Sequence, residues 1–221
     1  MWRWLAVGGA TLGCGRIGFD ERALPALVAT THVKSGSAAV VSVPDVAAGS
    51  ANLLVAIVIA YESTTSVMGV DDDFGNTYTN TGATSISPTV STSIWYAANS
   101  VAGSGTLTVT LDAATGASVW FDEFTGVDSL DGIGDNGAGV IMPTIDSPSA
   151  QVRGNDELAI SVLEMTAGEI DGVAAPFVEL PSVDGDEAAY AVVSGPTVIG
   201  AEWTASGSGT TCSSTVTFAR L

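Results

Sequence analysis

Three acidic patches hold the side chains best suited to chemistry in this 221-residue chain. The first, Asp71-Asp72-Asp73-Phe74-Gly75-Asn76, gathers carboxylate and amide oxygens in one short loop, the donor type that a hard cation such as Ca2+ prefers. Asp71, Asp73 and Asn76 are the candidate ligands. The glutamate that closes an EF-hand loop is missing, however. The same residues also describe a hairpin turn in which Asp72 caps the loop backbone and Gly75 takes a positive φ, and this reading takes precedence. Ca2+ is the one cofactor that the sequence leaves open.

The second patch is Trp120-Phe121-Asp122-Glu123-Phe124, two carboxylates inside a strongly apolar strand. Strand alternation sends Trp120, Asp122 and Phe124 to one face and Phe121 and Glu123 to the other. A glycosidase needs two carboxyls facing one cleft, so this neighbouring pair cannot serve. One of the two is expected in water and the other at the strand edge, bonded to loop backbone, because an unpaired buried carboxylate is costly. Glu164, in Leu163-Glu164-Met165, is read in the same way. A carboxylate pair formed across strands is left as the enzymatic alternative.

Nucleophilic catalysis has little support. His32 is the only histidine and lies outside any motif, and no Gly-x-Ser-x-Gly elbow occurs. A zinc site built on several histidines is excluded by count. No catalytic residue is therefore assigned. The aromatics remain. Trp95, Trp203 and Tyr78 are the candidate ligand-binding residues, because a flat apolar ring rimmed by hydrogen-bonding groups can stack on a sugar; Tyr190 is a further one. Buried packing in a sandwich core is the competing use of each.

Short β-type runs separated by Gly, Asp, Asn, Ser and Pro clusters must position these residues. Strands are expected near 38–43, 52–61, 66–70, 76–80, 91–98, 105–111, 117–125, 157–165, 176–180, 187–194, 197–204 and 212–219. The run Leu53 to Tyr61 is β-branched and continuously apolar, which suits a central strand buried on both faces but is far too short to span a bilayer. Residues 128–155, rich in Gly and Pro, are expected to be a long irregular crossing or flap. The fold class that follows is all-β: a two-sheet antiparallel β-sandwich, jelly-roll-like, in one domain over residues 31–221.

The N-terminus adds a location. Arg3 precedes a short apolar stretch, Leu5 to Gly13, and Cys14 follows, with polar, loop-like sequence beyond it. A basic region, an apolar region and small residues at a cut describe an export signal. Thr11-Leu12-Gly13-Cys14 resembles the processing site of a bacterial lipoprotein precursor. That resemblance implies a signal peptide over residues 1–13, a lipidated Cys14 as the new N-terminus and a tether over residues 14–30. Gly15 after the cysteine resembles lipoproteins that are passed on to the outer membrane. The implied location is the cell surface or periplasm, with the membrane as partner through the lipid anchor. Cys212 is then a small core residue; without lipidation, a Cys14–Cys212 disulfide is the alternative.

Charge narrows the partners. The formal net charge is −18, which repels nucleic acid phosphates and anionic lipid heads. Neutral glycans and basic proteins fit such a surface. Asp72-Asp73-Phe74-Gly75-Asn76-Thr77-Tyr78, Ile94-Trp95-Tyr96-Ala97 and Glu123-Phe124-Thr125-Gly126-Val127, with Trp203 and Val216-Thr217-Phe218, resemble a β-sandwich module of secreted and surface-anchored bacterial proteins. The resemblance implies display outside the cytoplasm and adhesive or glycan binding. The expectation is thus a lipid-anchored, non-catalytic binding module. A carbohydrate-processing enzyme and a purely structural envelope component are the alternatives.

Overall fold

The computed structural model describes residues 23–134, 137–182 and 186–221, and among these every regular element is a β-strand. The larger first sheet is antiparallel, with β1 (Ala26–Ala48), β6 (Gly103–Thr125), β2 (Leu53–Ala60), β5 (Ser91–Ala97) and β4 (Thr79–Ile86) in that spatial order; β3 (Val67–Asp72) pairs with β6 off this path. As its composition requires, β2 is buried along its entire length. It sits between β5 and β6 with a sheet face covered on either side.

The second large sheet contains β13 (Val178–Glu179), β14 (Glu187–Val193), β11 (Glu157–Met165), β17 (Thr210–Arg220) and β7 (Val127–Gly134), with β8 (Gly139–Val140) on β17. A three-stranded sheet of β12 (Glu169–Val173), β16 (Glu202–Ser206) and β9 (Thr144–Asp146) covers its outer side. A two-stranded ribbon pairs β10 (Ala150–Val152) with β15 (Thr197–Ile199). The expected antiparallel sandwich is the observed architecture, and neither large sheet closes into a barrel.

Three apolar layers hold it together. Leu53, Val55, Ile57, Trp120 and Phe124 from the first sheet meet Leu158, Ile160, Val162, Val216 and Phe218 from the second to form the central core. β1 and β6 are each 23 residues long and carry a second stretch beyond the sandwich proper. Leu107, Val109, Val41 and Val43 from those stretches cover Val58, Val119 and Phe121 on the outer face of the first sheet. On the outer face of the second sheet, Ala159, Leu163 and Ala189 pack under Trp203, Ile145 and Phe177. Full burial of one such aliphatic or aromatic side chain contributes roughly 1.5–3 kcal/mol, and the central strands collect it on both of their faces.

Two sequence expectations change. The tether does not run to residue 30, since β1 begins at Ala26 and pairs Ala26 with Thr125. The stretch 128–155 is largely strand, carrying β7, β8, β9 and β10. Its glycines mark close approach, not irregular chain. A Cβ on Gly132 would lie 2.3 Å from the Gln151 carbonyl oxygen, and one on Gly134 would lie 2.6 Å from that of Pro148.

Candidate functional site

The acidic loop is a turn held by Asp72. Its Oδ1 accepts the N–H groups of Phe74 and Asn76, both at 3.0 Å, and its Oδ2 accepts Asn76 Nδ2 at 2.7 Å and the Tyr78 hydroxyl at 3.1 Å. Gly75 has φ +85°. The candidate ligands are occupied with backbone: Asp73 accepts the Thr106 N–H at 2.7 Å, and Asn76 Oδ1 accepts that of Val101 at 2.7 Å. Asp71 is exposed on β3. Among the described residues no group of three or more His, Cys, Asp or Glu is placed to hold a metal.

Asp122 and Glu123 do face opposite ways, but neither reaches water. Glu123, 3% exposed, accepts the Gly49 N–H at 2.6 Å and Asn52 Nδ2 at 2.5 Å, which fastens the β1–β2 loop to β6. Asp122 is 0% exposed among the core residues, and neither of its oxygens has a hydrogen-bond partner among the described residues. Burial pushes its carboxyl up to about 7, with the Thr30 hydroxyl opposing from the paired position on β1. The expectation that one of the two is solvated is therefore corrected. A sandwich with a covered outer face on each large sheet gives a central strand no wet side.

The three candidate aromatics separate. Trp203 is 0% exposed, and its Nε1–H donates to Ser147 Oγ at 2.9 Å, so its ring is not available for stacking. Tyr78 is also buried, with its hydroxyl on Asp72. Both belong to the packing. Trp95 is half-buried on β5, and its Nε1–H donates to Ser93 Oγ at 3.3 Å.

Ser93 opens onto a groove of about 320 Å³ between the β2–β3 connection and the β4–β5 pair. Its walls carry Ser63, Thr65, Ser66, Asn80, Thr84, Ser91, Thr92 and Ser93, with Ala60, Val67 and Ile86 as apolar contacts. Asn80 is the cross-strand partner of Trp95 and Thr84 that of Ser93, so the indole borders the hydroxyl-lined wall. Thr65 is 3% exposed, and its Oγ1 has no hydrogen-bond partner among the described residues, although its carbonyl oxygen accepts Ser91 Oγ at 2.9 Å. The Thr65 hydroxyl is sealed behind the groove wall, so the groups that face the groove are those of its less buried neighbours, Thr84 and Asn80 among them. Composition showed none of this, because serine and threonine on an edge hairpin look like ordinary solvated residues.

A second polar cluster lies between the sheets. Asp186, just before β14, accepts the hydroxyl of Ser118 at 2.5 Å and that of Tyr61, and Lys34 Nζ stands 3.4 Å away. Lys34 also lies 5.0 Å from the centre of the Tyr61 ring. Glu164, 4% exposed, has an Oε2 without a partner among the described residues. Burial, reinforced by the charge of Asp186 and opposed by Lys34, pushes its carboxyl up to about 8. Burial likewise raises the Tyr61 hydroxyl. Of this cluster the sequence pointed only to Glu164. Lys34, the only lysine in the chain, was the available signal for the rest.

Cys14 lies outside the described residues. Cys212 is buried on β17, its Sγ 3.9 Å from the Val90 carbonyl oxygen, and burial raises its thiol. No family model, no curated protein and no solved structure matches this chain.

Proposed function

We propose that this protein is a lipid-anchored surface module that binds a neutral, hydroxyl-rich glycan in the β4–β5 groove and does not turn it over. The observation that carries this reading is the groove wall of serine, threonine and asparagine beside the half-buried indole of Trp95. Sugar recognition needs an apolar plane flanked by groups that both donate and accept, and hydroxyl and amide side chains do both. The carboxylates fit catalysis poorly: Glu123 is tied to loop backbone and Asp122 is sealed in the core. The net charge of −18 disfavours nucleic acid and admits a basic protein as the competing partner. Lipidation of Cys14, with anchorage at the outer membrane, completes the proposal.

Retention of the full-length protein on immobilised polysaccharides of several linkages tests the binding reading. Trp95→Ala and Thr84→Val should each lower retention at least tenfold while the circular dichroism spectrum is kept. Salt-sensitive retention on a basic protein, with none on glycans, would replace the ligand class. Release of sugar products, lost in Asp122→Asn or Glu123→Gln, would install the enzyme. For the anchor, Cys14→Ala should release the protein from membranes or leave it unprocessed. Membrane-bound Cys14→Ala of wild-type mass would refute lipidation.

A further inference from the structure

The two large sheets are built to one plan. In the first, β1-β6-β2-β5-β4 run in spatial order; in the second, β7-β17-β11-β14-β13 do. β7 stands for β1, β17 for β6, β11 for β2, β14 for β5 and β13 for β4. The correspondence continues in the outer layers. β3 and the far stretch of β1 flank the first part of β6 as β12 and β9 flank β16.

Register makes the match residue by residue. Val55 pairs with Tyr96 on one side and Asp122 on the other; Ile160 pairs with Tyr190 and Val216. Leu53 pairs with Phe124 as Leu158 pairs with Phe218, and Ile59 with Ser118 as Glu164 with Cys212. Tyr96 and Phe124 are also the same distance apart in sequence as Tyr190 and Phe218.

The contacts between the sheets are reciprocal. Tyr96 meets Phe218 edge-on at 5.5 Å and 65°, and its counterpart Tyr190 meets Phe124, the counterpart of Phe218, at 5.6 Å and 61°. Thr92 Oγ1 lies 4.0 Å from Cys212 Sγ; Asp186, in the place of Thr92, bonds Ser118, in the place of Cys212. A surface on which i touches j while the equivalent of j touches the equivalent of i is the isologous pattern of a two-fold dimer. The join between halves is short: Gly126, with φ +73°, lies between β6 and β7. The far ends return to it, since the Leu221 N–H donates to the Gly126 carbonyl at 3.2 Å and Arg220 Nε to that of Ala23 at 3.2 Å.

We infer that this sandwich is a fused pair of copies of one half-sandwich unit, whose inner face is an interaction surface that fits a second copy of itself. The polar cluster at Asp186, Glu164 and Ser118 then marks where the copies have diverged, Glu164 standing where the other copy has Ile59.

The test is a full chain with its halves exchanged: residues 1–22 first, then 127–221, a short glycine linker, and 23–126. It should melt in one cooperative transition with the wild-type β-sheet spectrum. Double-mutant cycles in the unpermuted protein provide a second measurement, pairing Tyr96→Leu with Phe218→Leu and Tyr190→Leu with Phe124→Leu. The two coupling factors on the unfolding constant should agree within about threefold. Overturning results are an exchanged chain that stays unfolded under conditions where the wild type folds, or coupling at one pair and none at the other.

Discussion

Ser118 and Asp186 meet at 2.5 Å across the gap between the two large sheets, and Glu164 lies beside them with one carboxyl oxygen unpaired among the described residues. The clasp gathers hydroxyls and one lysine around Asp186, but only the Lys34 charge opposes the rise of the Glu164 pKa. Glu164 is therefore held in its protonated form well above the ordinary carboxylate range.

Stability should fall as the solution becomes alkaline. The folded state raises Glu164 from 4.5 to about 8 and Asp122 from 3.8 to about 7. Between about pH 4 and pH 8 the folded chain binds more protons than the unfolded chain, so stability declines as pH rises through that window. A tenfold difference in proton affinity between folded and unfolded chain is worth about 1.4 kcal/mol, so two shifts of this size lower stability by roughly 5–10 kcal/mol across the window. Melting temperature at pH 5 should exceed that at pH 8.5, and Glu164→Gln with Asp122→Asn should flatten the profile. A wild-type curve already flat across this range would refute the account.

Glu123 should matter for folding and not for turnover. Glu123→Ala leaves the Gly49 N–H and Asn52 Nδ2 without their acceptor. Hydrogen bonds to a charged group contribute about 1.5–3 kcal/mol, so a loss of roughly 2–4 kcal/mol is expected in denaturant unfolding. A change below about 0.5 kcal/mol would show that the loop is held by other contacts.

At the acidic turn, Gly75→Val should cost about 1 kcal/mol or more, because its φ of +85° is poorly tolerated by a β-branched residue. Calcium should move the melting temperature of the wild type only slightly, since Asp73 and Asn76 already serve backbone donors. A rise of many degrees at micromolar calcium would make the loop a metal site.

The two tryptophans on β5 and β16 should part company. Trp203→Ala empties a fully buried site and removes the donor to Ser147, at a cost of about 3–5 kcal/mol. Trp95→Ala should cost much less and reduce glycan retention instead. Equal destabilisation by both, measured by chemical unfolding, would place Trp95 in the core as well.

The all-β class, the doubly buried β2, the Asp72 turn with its positive-φ glycine, and the opposed faces of Asp122 and Glu123 were all legible along the chain. Each depends on local rules: alternation, β-branched runs and turn chemistry act over a few neighbouring residues. Contacts between distant segments settled the rest. The fold covered the outer face of each large sheet, which took Trp203 and Glu123 out of solvent, and the meeting of the two large sheets sealed Asp122 beside Trp120 and Phe124. It used Gly132 and Gly134 for close packing of β7, where composition suggested loop. It also joined Lys34, Tyr61, Ser118, Glu164 and Asp186 from distant parts of the chain, and opened the Thr65 groove beside Trp95. The matched plan of the two halves was written in the sequence as paired Tyr and Phe positions, but too few side chains repeat to reveal it. Backbone pairing conserves strand order and register while leaving most side chains free to change, so the repeat becomes visible only once the ladders are formed.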